Sequence, residues 1–355
     1  LDMIGGQYNA FTSKEVTGFW AKVDRKHADI ALDWISDIFL NSKFEAKEIE
    51  REKGVVIEEL NMYLDTPTAY VSELFEDLLY KDQPAGWRIV GEKESILNFN
   101  RKKILDYYKN HYSTQNTVVC IAGYINSREI EKKIKKYFGK LRQNKPLVKI
   151  ATKEEQKKPE VLIHHKKTDQ THFCLGVRAY NIYHRQRFTL GLMAVILGGN
   201  MSSRLFISVR ERSGLAYYIH TAIEATTDTG YLTTQAGIRN DSLEKAIKLI
   251  LKEYRDLKNK KITDKELKKA KDYLRGTIFL SLDTTDNQAS FYANQEVMGQ
   301  EVLTPEEKLK MINKVSVDDI KKVAEDILKN KNLNLAVIGP FEETEKEKLE
   351  KLLKI

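Results

Sequence analysis

The chain has 355 residues, which is long enough for roughly two domains rather than a single core. Hydrophobic residues make up 41% and charged residues 31%. This balance is typical of a folded, soluble, helix-rich protein, and it excludes collagen-like, mucin-like and largely disordered chains. The longest apolar stretch, residues 190–199, is half of the roughly 20 residues that a membrane span needs. We therefore expect no transmembrane helix.

The chain contains 59 Lys and Arg against 51 Asp and Glu, a net charge of +8. Most lysines lie beside glutamates and opposite apolar helix stripes, which predicts a solvated surface. Because no stacked-aromatic strand or Arg-rich recognition helix accompanies them, we expect no nucleic-acid partner beyond weak, salt-dependent binding. Cys120 and Cys174 lack metal-type spacing. They exclude a disulfide framework and favour a reducing compartment.

The first half begins with residues 1–6, which are typical of a helix end closed by glycine, so we expect the chain to begin inside a domain. Strands are predicted at 7–12 and 17–23. Helices are predicted at about 28–40, 46–64, 69–80, 101–111 and 128–138, the last with Ser127 as its N-cap. A buried strand is predicted at 116–122, and residues 143–159 are predicted to be a linker.

The second half repeats this order of elements. Strands at 161–165 and 171–177 precede a helix at about 186–197, and a hairpin joins 214–223 to 230–238 around Asp228. Capping boxes, formed by Asp241 with Glu244 and by Thr263 with Glu266, predict two further helices. The dipeptide Thr304-Pro305 starts another helix, and a buried strand follows at 333–338.

The repetition has an offset of 212–218 residues. Gly123 follows one buried-strand pattern and Gly339 follows another, 216 residues later. This offset predicts an α+β fold with two homologous domains, each a mostly antiparallel sheet packed with helices. We place the first domain at 1–142, the linker at 143–159 and the second domain at 160–355. If the two copies are equal in size, the first lacks its opening ~60–70 residues.

Two carboxylates share one face of the long predicted helix. Glu52 and Glu59 are seven residues apart, so they are separated by only about 20° around the helix axis. Val56 and Tyr63 lie on the same face, which is therefore apolar. A buried carboxylate is costly unless it is paired or bound to metal. A pair of buried salt bridges, or of caps to neighbouring loops, is the alternative interpretation.

Histidine does not complete a metal site. None of the seven histidines forms a pair at i, i+4 spacing, so Glu59 is at most one member of a zinc site. The neighbours His164 and His165 lie in a predicted strand and point to opposite faces. They are interpreted as surface or core histidines.

Residues 5–11, Gly-Gly-Gln-Tyr-Asn-Ala-Phe, are unusual for a strand because Asn9 and Ala10 are poor strand formers. A strand at a sheet edge pairs with extended peptides through its main chain. An ordinary hairpin strand is the alternative.

In the second half, Arg210 and Tyr217 converge on one ligand if the intervening turn folds back. Packing is the alternative role for this pair. The surrounding loop has no phosphate-binding motif of the GxxxxGKS or GxGxxG type.

Three ordered segments, IGGQYNAFTSKEVTGF, EREKGVVIEELNMYLDTP and MSSRLFISVRERSGLAY, resemble the insulinase/pitrilysin family of zinc peptidases, the inverzincins. The similarity extends over the whole chain and is greatest to the two-domain processing-peptidase type. The family's metal motif, H-x-x-E-H, is absent from these residues. We expect it upstream of Leu1.

The resemblance implies a role for each candidate residue. Glu59 matches the third zinc ligand, and Glu52 matches the acid that orients the site. Asn9, Ala10 and Phe11 match the edge strand that binds substrate by β-augmentation. Arg210 and Tyr217 match the pair that binds the substrate carbonyl and its developing oxyanion.

The resemblance also implies a zinc-dependent endopeptidase with one Zn²⁺ per full-length chain, held weakly or not at all by these residues alone. They are then expected to be inactive, and the second half non-catalytic. The expected partners are a peptide substrate and a second copy or a paralogous chain, in the bacterial cytoplasm. The alternative is a non-catalytic relative that acts as a binding or assembly subunit.

Overall fold

The computed structural model describes residues 1–355. Its strands are β1 (Gln7–Thr12), β2 (Thr17–Lys22), β3 (Glu160–His165), β4 (Gln170–Arg178), β5 (Ala216–Ala225), β6 (Gly230–Arg239) and β7 (Leu333–Gly339). Its helices are α1 (Ala28–Leu40), α2 (Ala46–Leu64), α3 (Pro67–Tyr80), α4 (Lys93–Leu97), α5 (Arg101–His111), α6 (Ser127–Phe138), α7 (Arg187–Gly198), α8 (Leu243–Asn259), α9 (Asp264–Ser281), α10 (Thr285–Val297), α11 (Pro305–Lys314), α12 (Val317–Ile327) and α13 (Lys346–Leu352). The predicted mixed fold of helices and sheet is confirmed. None of the helices has the length and apolar character needed to cross a membrane.

Two predicted helix starts are wrong. The N-cap of α6 is Asn126, whose side chain accepts hydrogen bonds from the backbone of Arg128 and Glu129. Because the Asn126 side chain caps the helix, Ser127 is the first helical residue and not the N-cap. The predicted capping box of Asp241 is also absent, because this residue lies in a short 3-10 turn and accepts a hydrogen bond from Ser242.

The chain divides into two compact units. Unit 1 contains residues 1–60, 89–149 and 278–303, and unit 2 contains residues 61–88, 150–277 and 304–355. Both units draw on both halves of the sequence. The boundary at 143–159, which rests on the sequence repeat, stays a prediction.

Unit 2 contains a five-stranded sheet in the order β3-β7-β4-β6-β5. Only β3 and β7 are parallel, and the other three pairs are antiparallel. Strand β4 lies at the centre, and its residues 171–177 are buried. Both faces of β4 are therefore covered, and its residues 173–177 form a short apolar run.

Helix α3 packs on one face of this sheet. Val71 and Phe75 on α3 are buried, in a cluster that includes Cys174 of β4 and Ala336 of β7. The Phe75 ring packs edge-to-face against Tyr231 at 5.4 Å between centroids. A helix from the first half of the sequence thus completes the core of the later strands.

Unit 1 contains the β1–β2 hairpin, which packs on α1. Phe39 of α1 is the centre of an aromatic cluster, because its ring contacts Phe19 of β2, Tyr112 after α5 and Phe138 of α6. Residues at the ends of α5 and α6 therefore pack on the same side chain of α1.

The predicted buried strand at 116–122 is wrong. These residues include no β-strand, and Cys120 is exposed. A strand needs a neighbour for its backbone hydrogen bonds. No strand of unit 1 pairs with this segment, since β1 and β2 pair only with each other.

The predicted linker has no helix or strand, yet part of it is held in place. Gln156 and Asn334 exchange two side-chain hydrogen bonds of 3.1 and 3.0 Å. The backbone N–H of Thr152 donates to Asp228 at 2.7 Å. Residues 152–156 are therefore fixed to unit 2.

Candidate functional site

Strand β1 presents an open edge. It pairs antiparallel with β2, with Asn9 opposite Trp20 and Ala10 opposite Phe19, and no strand pairs with its other side. All six of its residues are exposed. Phe11 adds an exposed aromatic side chain to this strand. This is the type of edge that accepts an added peptide strand.

The backbone N–H and C=O groups of Ala10 point toward this open edge. Ser13 N–H donates to Val16 at 2.8 Å, so by the alternation of an antiparallel ladder Ala10 lies in a pair that makes no cross-strand hydrogen bonds. Its N–H instead donates to the side-chain oxygen of Asn9 at 2.8 Å. Asn9 therefore satisfies a donor that an incoming peptide carbonyl would otherwise bind.

Glu52 and Glu59 lie on α2, in unit 1, with exposed carboxylates. Neither forms a hydrogen bond or an ion pair. Their helix face is open, because Val56 is only partly buried and Tyr63 is exposed. The prediction of a shared face is confirmed by the helix. The expected burial is wrong, and so is the alternative of buried salt bridges, since no segment of these residues covers the face.

These residues do not by themselves form a zinc site. No group of three His, Cys, Asp or Glu side chains is placed to hold a metal ion. Glu59 is available as a ligand, but a structural or catalytic zinc requires at least three protein ligands.

Arg210 lies in unit 2 on a short π-helix, Phe206–Glu211. The wider turn of a π-helix is rare and occurs frequently at functional sites. Its guanidinium carbon lies 4.7 Å from the ring centroid of Phe206, and the side chain is exposed. The cation is therefore supported on one side by an aromatic ring and open on the other.

Tyr217 is the extra residue of a β-bulge. Ala216 pairs with Ile238 and Tyr218 pairs with Gly237, so Tyr217 has no partner on β6. The chain reaches this point through a turn at Gly214, whose φ of 59° favours glycine. Bulges redirect side chains near active sites. Here the bulge leaves Tyr217 55% exposed.

The neighbouring residue Tyr218 anchors the bulge. Its hydroxyl lies 3.1 Å from Nδ1 of His172 and accepts a hydrogen bond from Gln235 at 3.3 Å. Burial raises the pKa of Tyr218 to about 12 and lowers the pKa of His172 below its usual value. Both side chains are therefore neutral near pH 7. The tyrosine hydroxyl holds the bulge in place through its hydrogen bonds.

The structure thus groups the predicted residues within the units. Asn9, Ala10, Glu52 and Glu59 belong to unit 1, and Arg210 and Tyr217 belong to unit 2. The turn between Arg210 and Tyr217 does fold back, since Leu215 N–H donates to Val209 at 3.1 Å. The pair makes no direct bond.

Sequence reasoning missed the π-helix, the bulge and the anchor formed by His172, Tyr218 and Gln235. In the sequence near the bulge, only the two adjacent tyrosines, Tyr217 and Tyr218, point to this set of contacts. In a regular strand these two side chains would point to opposite faces.

Two family models match the chain. The model described as "Insulinase (Peptidase family M16)" matches residues 1–93, and the one described as "Peptidase M16 inactive domain" matches residues 98–274. An uncharacterized zinc protease of Bacillus subtilis, YmxG, is 34% identical over 340 residues, which cover 96% of this chain and 82% of that protein. An uncharacterized zinc protease of Mycobacterium leprae is 30% identical over 96% of this chain and 77% of its own length.

Solved structures share the fold. A protease from Helicobacter pylori superposes with a TM-score of 0.89 at 22% identity, covering 96% of this chain and 83% of that chain. A peptidase M16 inactive domain from Pseudomonas fluorescens gives 0.88 at 18% identity, covering 96% and 82%. The solved structures show the fold, and the family models and the Bacillus subtilis relative show that the chain belongs to the insulinase family of peptidases, family M16.

Proposed function

We propose that this chain binds extended peptides for a zinc-dependent endopeptidase. In this proposal a peptide adds to the open edge of β1, and Ala10 N–H exchanges the Asn9 side chain for a peptide carbonyl. The observation that carries the proposal is this outward-pointing donor on an exposed, unpaired strand. Arg210 and Tyr217 supply a cation and a hydroxyl for a carbonyl oxygen and for the charge that develops on it.

The metal belongs to the same proposal. Glu59 is proposed as one zinc ligand and Glu52 as the acid that supports it. The remaining ligands and the water-activating glutamate belong to an H-x-x-E-H motif, which residues 1–355 do not contain. We therefore assign peptide cleavage to a polypeptide that contains both residues 1–355 and the H-x-x-E-H motif. These residues alone are proposed to bind zinc weakly and to cleave no peptide.

A second candidate function is a non-catalytic binding or assembly subunit. It is favoured by the match of residues 98–274 to a family model described as an inactive domain. The joint presence of Glu59, Arg210 and Tyr217 supports the enzyme instead, because these residues match the ligand and carbonyl-binding positions of the catalytic members that the sequence resembles. We further propose pairing with a second copy or a paralogous chain, in the bacterial cytoplasm.

Zinc content separates the two functions. A polypeptide that carries these residues together with H-x-x-E-H is expected to hold about one zinc per chain, by analogy with the three-ligand catalytic sites of other zinc enzymes. Glu59→Gln is expected to lose most of this metal, because the neutral amide is a poor zinc ligand. Metal is measured by atomic absorption after gel filtration.

The matched control is Glu58→Gln, since Glu58 is an equally exposed neighbour on another face of α2. It is expected to keep its zinc. Equal zinc content in the unchanged protein, Glu59→Gln and Glu58→Gln would show that Glu59 is not a zinc ligand. No zinc in any of them would favour the non-catalytic subunit.

The strand-addition step has its own test. Ala10→Pro removes the outward N–H, so the affinity of this chain for a fluorescein-labelled extended peptide is expected to fall about tenfold, as one charge-free hydrogen bond implies. Asn9→Ala keeps that N–H and removes its competitor, so its affinity is expected to stay equal or rise. Fluorescence anisotropy measures both. Unchanged binding by Ala10→Pro would exclude pairing at this edge.

A further inference from the structure

The positive charge of the chain is concentrated in one segment. Residues 101–149 contain thirteen Lys and Arg against three Asp and Glu, a net charge of +10. The other 306 residues contain 46 Lys and Arg against 48 Asp and Glu, a net charge of −2. The basic character of the protein therefore comes from α5, α6 and the loops that follow them.

These elements are close together in unit 1. Phe138 at the end of α6 and Tyr112 after α5 both contact Phe39 of α1, as described above. The loop after α6 returns to α5, because Asn144 donates to the carbonyl of Lys109 at 3.2 Å. The three elements are thus neighbours, and we call their exposed residues the α5–α6 surface.

Most of its cations have no acidic partner. Only Lys133, Lys135 and Lys149 form ion pairs, with Asp29, Glu131 and Glu15. The other ten basic side chains are exposed without a carboxylate partner: Arg101, Lys102, Lys103, Lys109, Arg128, Lys132, Lys136, Lys140, Arg142 and Lys145. Unlike the rest of the chain, this surface does not neutralise its own charge.

Three of these exposed cations form a stripe along helix α6. Arg128, Lys132 and Lys136 follow at i, i+4 and i+8, within about 80° around the axis. Ile134 and Phe138 occupy the opposite side, where they are wholly or partly buried. The helix therefore presents a cationic face while its apolar face is fixed to the protein.

Exposed apolar side chains accompany these cations. Tyr124 is 81% exposed and immediately precedes α6 with the exposed Ile125. Leu147 and Val148, in the loop after Lys145, are 63% and 88% exposed. Tyrosine and aliphatic side chains beside lysines are typical of surfaces that contact the headgroup region of a bilayer.

We propose that the α5–α6 surface docks on an anionic phospholipid membrane, with the lysines over the headgroups and the exposed apolar side chains at the interface. The composition favours lipid over nucleic acid, because ten of the thirteen cations are lysine, whereas recognition of base edges relies heavily on the planar fork of arginine. The proposed attachment is peripheral, through the side chains of this surface alone. This role is independent of peptide binding.

Vesicle flotation tests the proposal. The chain is expected to float with vesicles of 40% phosphatidylglycerol in phosphatidylcholine at low salt, and not with pure phosphatidylcholine. Salt of a few hundred millimolar is expected to release most of it, because the attraction is screened. The triple variant Arg128→Gln, Lys132→Gln, Lys136→Gln is expected to weaken partitioning on the order of 100-fold.

The control has the same net charge but a different location: Lys252→Gln, Lys265→Gln, Lys310→Gln, all at exposed positions of unit 2. It is expected to float like the unchanged chain. Equal loss in both triples would reduce the effect to net charge and overturn the proposal. So would the absence of flotation at low salt, equal binding to phosphatidylcholine, or preferential retention by a 30-nucleotide single strand that vesicles do not displace.

Discussion

Replacing Phe75 with alanine is expected to lower the free energy of unfolding of unit 2 by about 3–5 kcal/mol, the usual cost for a fully buried phenylalanine. The ring is 1% exposed. It lies against Tyr231 and close to β4 at Gly176, where an added Cβ would come within 2.9 Å of the ring. Alanine leaves a cavity that neither the sheet nor α3 can close. Hydrogen exchange of peptides covering 170–178 reports the loss.

Two further variants make the result specific. Phe75→Leu keeps most of the volume and is expected to cost less than about 1.5 kcal/mol. Phe99→Ala removes the same side chain from a 46% exposed position in unit 1 and is expected to leave β4 exchange unchanged. A loss below about 1 kcal/mol for Phe75→Ala would mean that α3 is not part of the unit 2 core.

Arg210→Ala is expected to lower kcat for peptide cleavage by about 10²–10³, in a polypeptide that carries both this chain and H-x-x-E-H. That range is typical for removal of one group that stabilises a developing oxyanion. Tyr217→Phe removes only the hydroxyl and is expected to act in the same direction. Because such contacts strengthen in the transition state, KM is expected to change much less than kcat.

Arg212→Ala is the control for charge and location. Arg212 is exposed and directly follows the π-helix that carries Arg210. Its loss is expected to change kcat by less than a factor of three. A kcat for Arg210→Ala and Tyr217→Phe near that of the unchanged enzyme would assign the pair to packing.

The local elements were largely predictable. Helices α1, α2 and α5 begin and end at the predicted residues, because their apolar residues follow the helical period between clear breaks. The capping box of Thr263 and Glu266 is also confirmed, with hydrogen bonds of 3.1 Å in both directions. These features depend on residues a few positions apart, so the sequence contains all the necessary information.

What failed depends on distant residues. Residues 116–122 have the composition of a buried strand, but pairing requires a neighbour that composition does not reveal. For Glu52 and Glu59 the helical period predicts a common face, whereas exposure depends on what packs against that face. The bulge at Tyr217 arises from a one-residue mismatch between β5 and β6, which neither strand shows alone.

The placement of α3 affects the timing of folding during synthesis. The hydrogen bond from Tyr231 to Glu76 joins residues 155 positions apart. At about 5–20 residues per second, the ribosome needs roughly 8–30 s between them. During that interval α3 lacks β6, and for the first ~100 residues of synthesis it lacks β4 as well. The nascent chain therefore carries an uncovered apolar helix, and other proteins can capture it before β4 and β6 emerge.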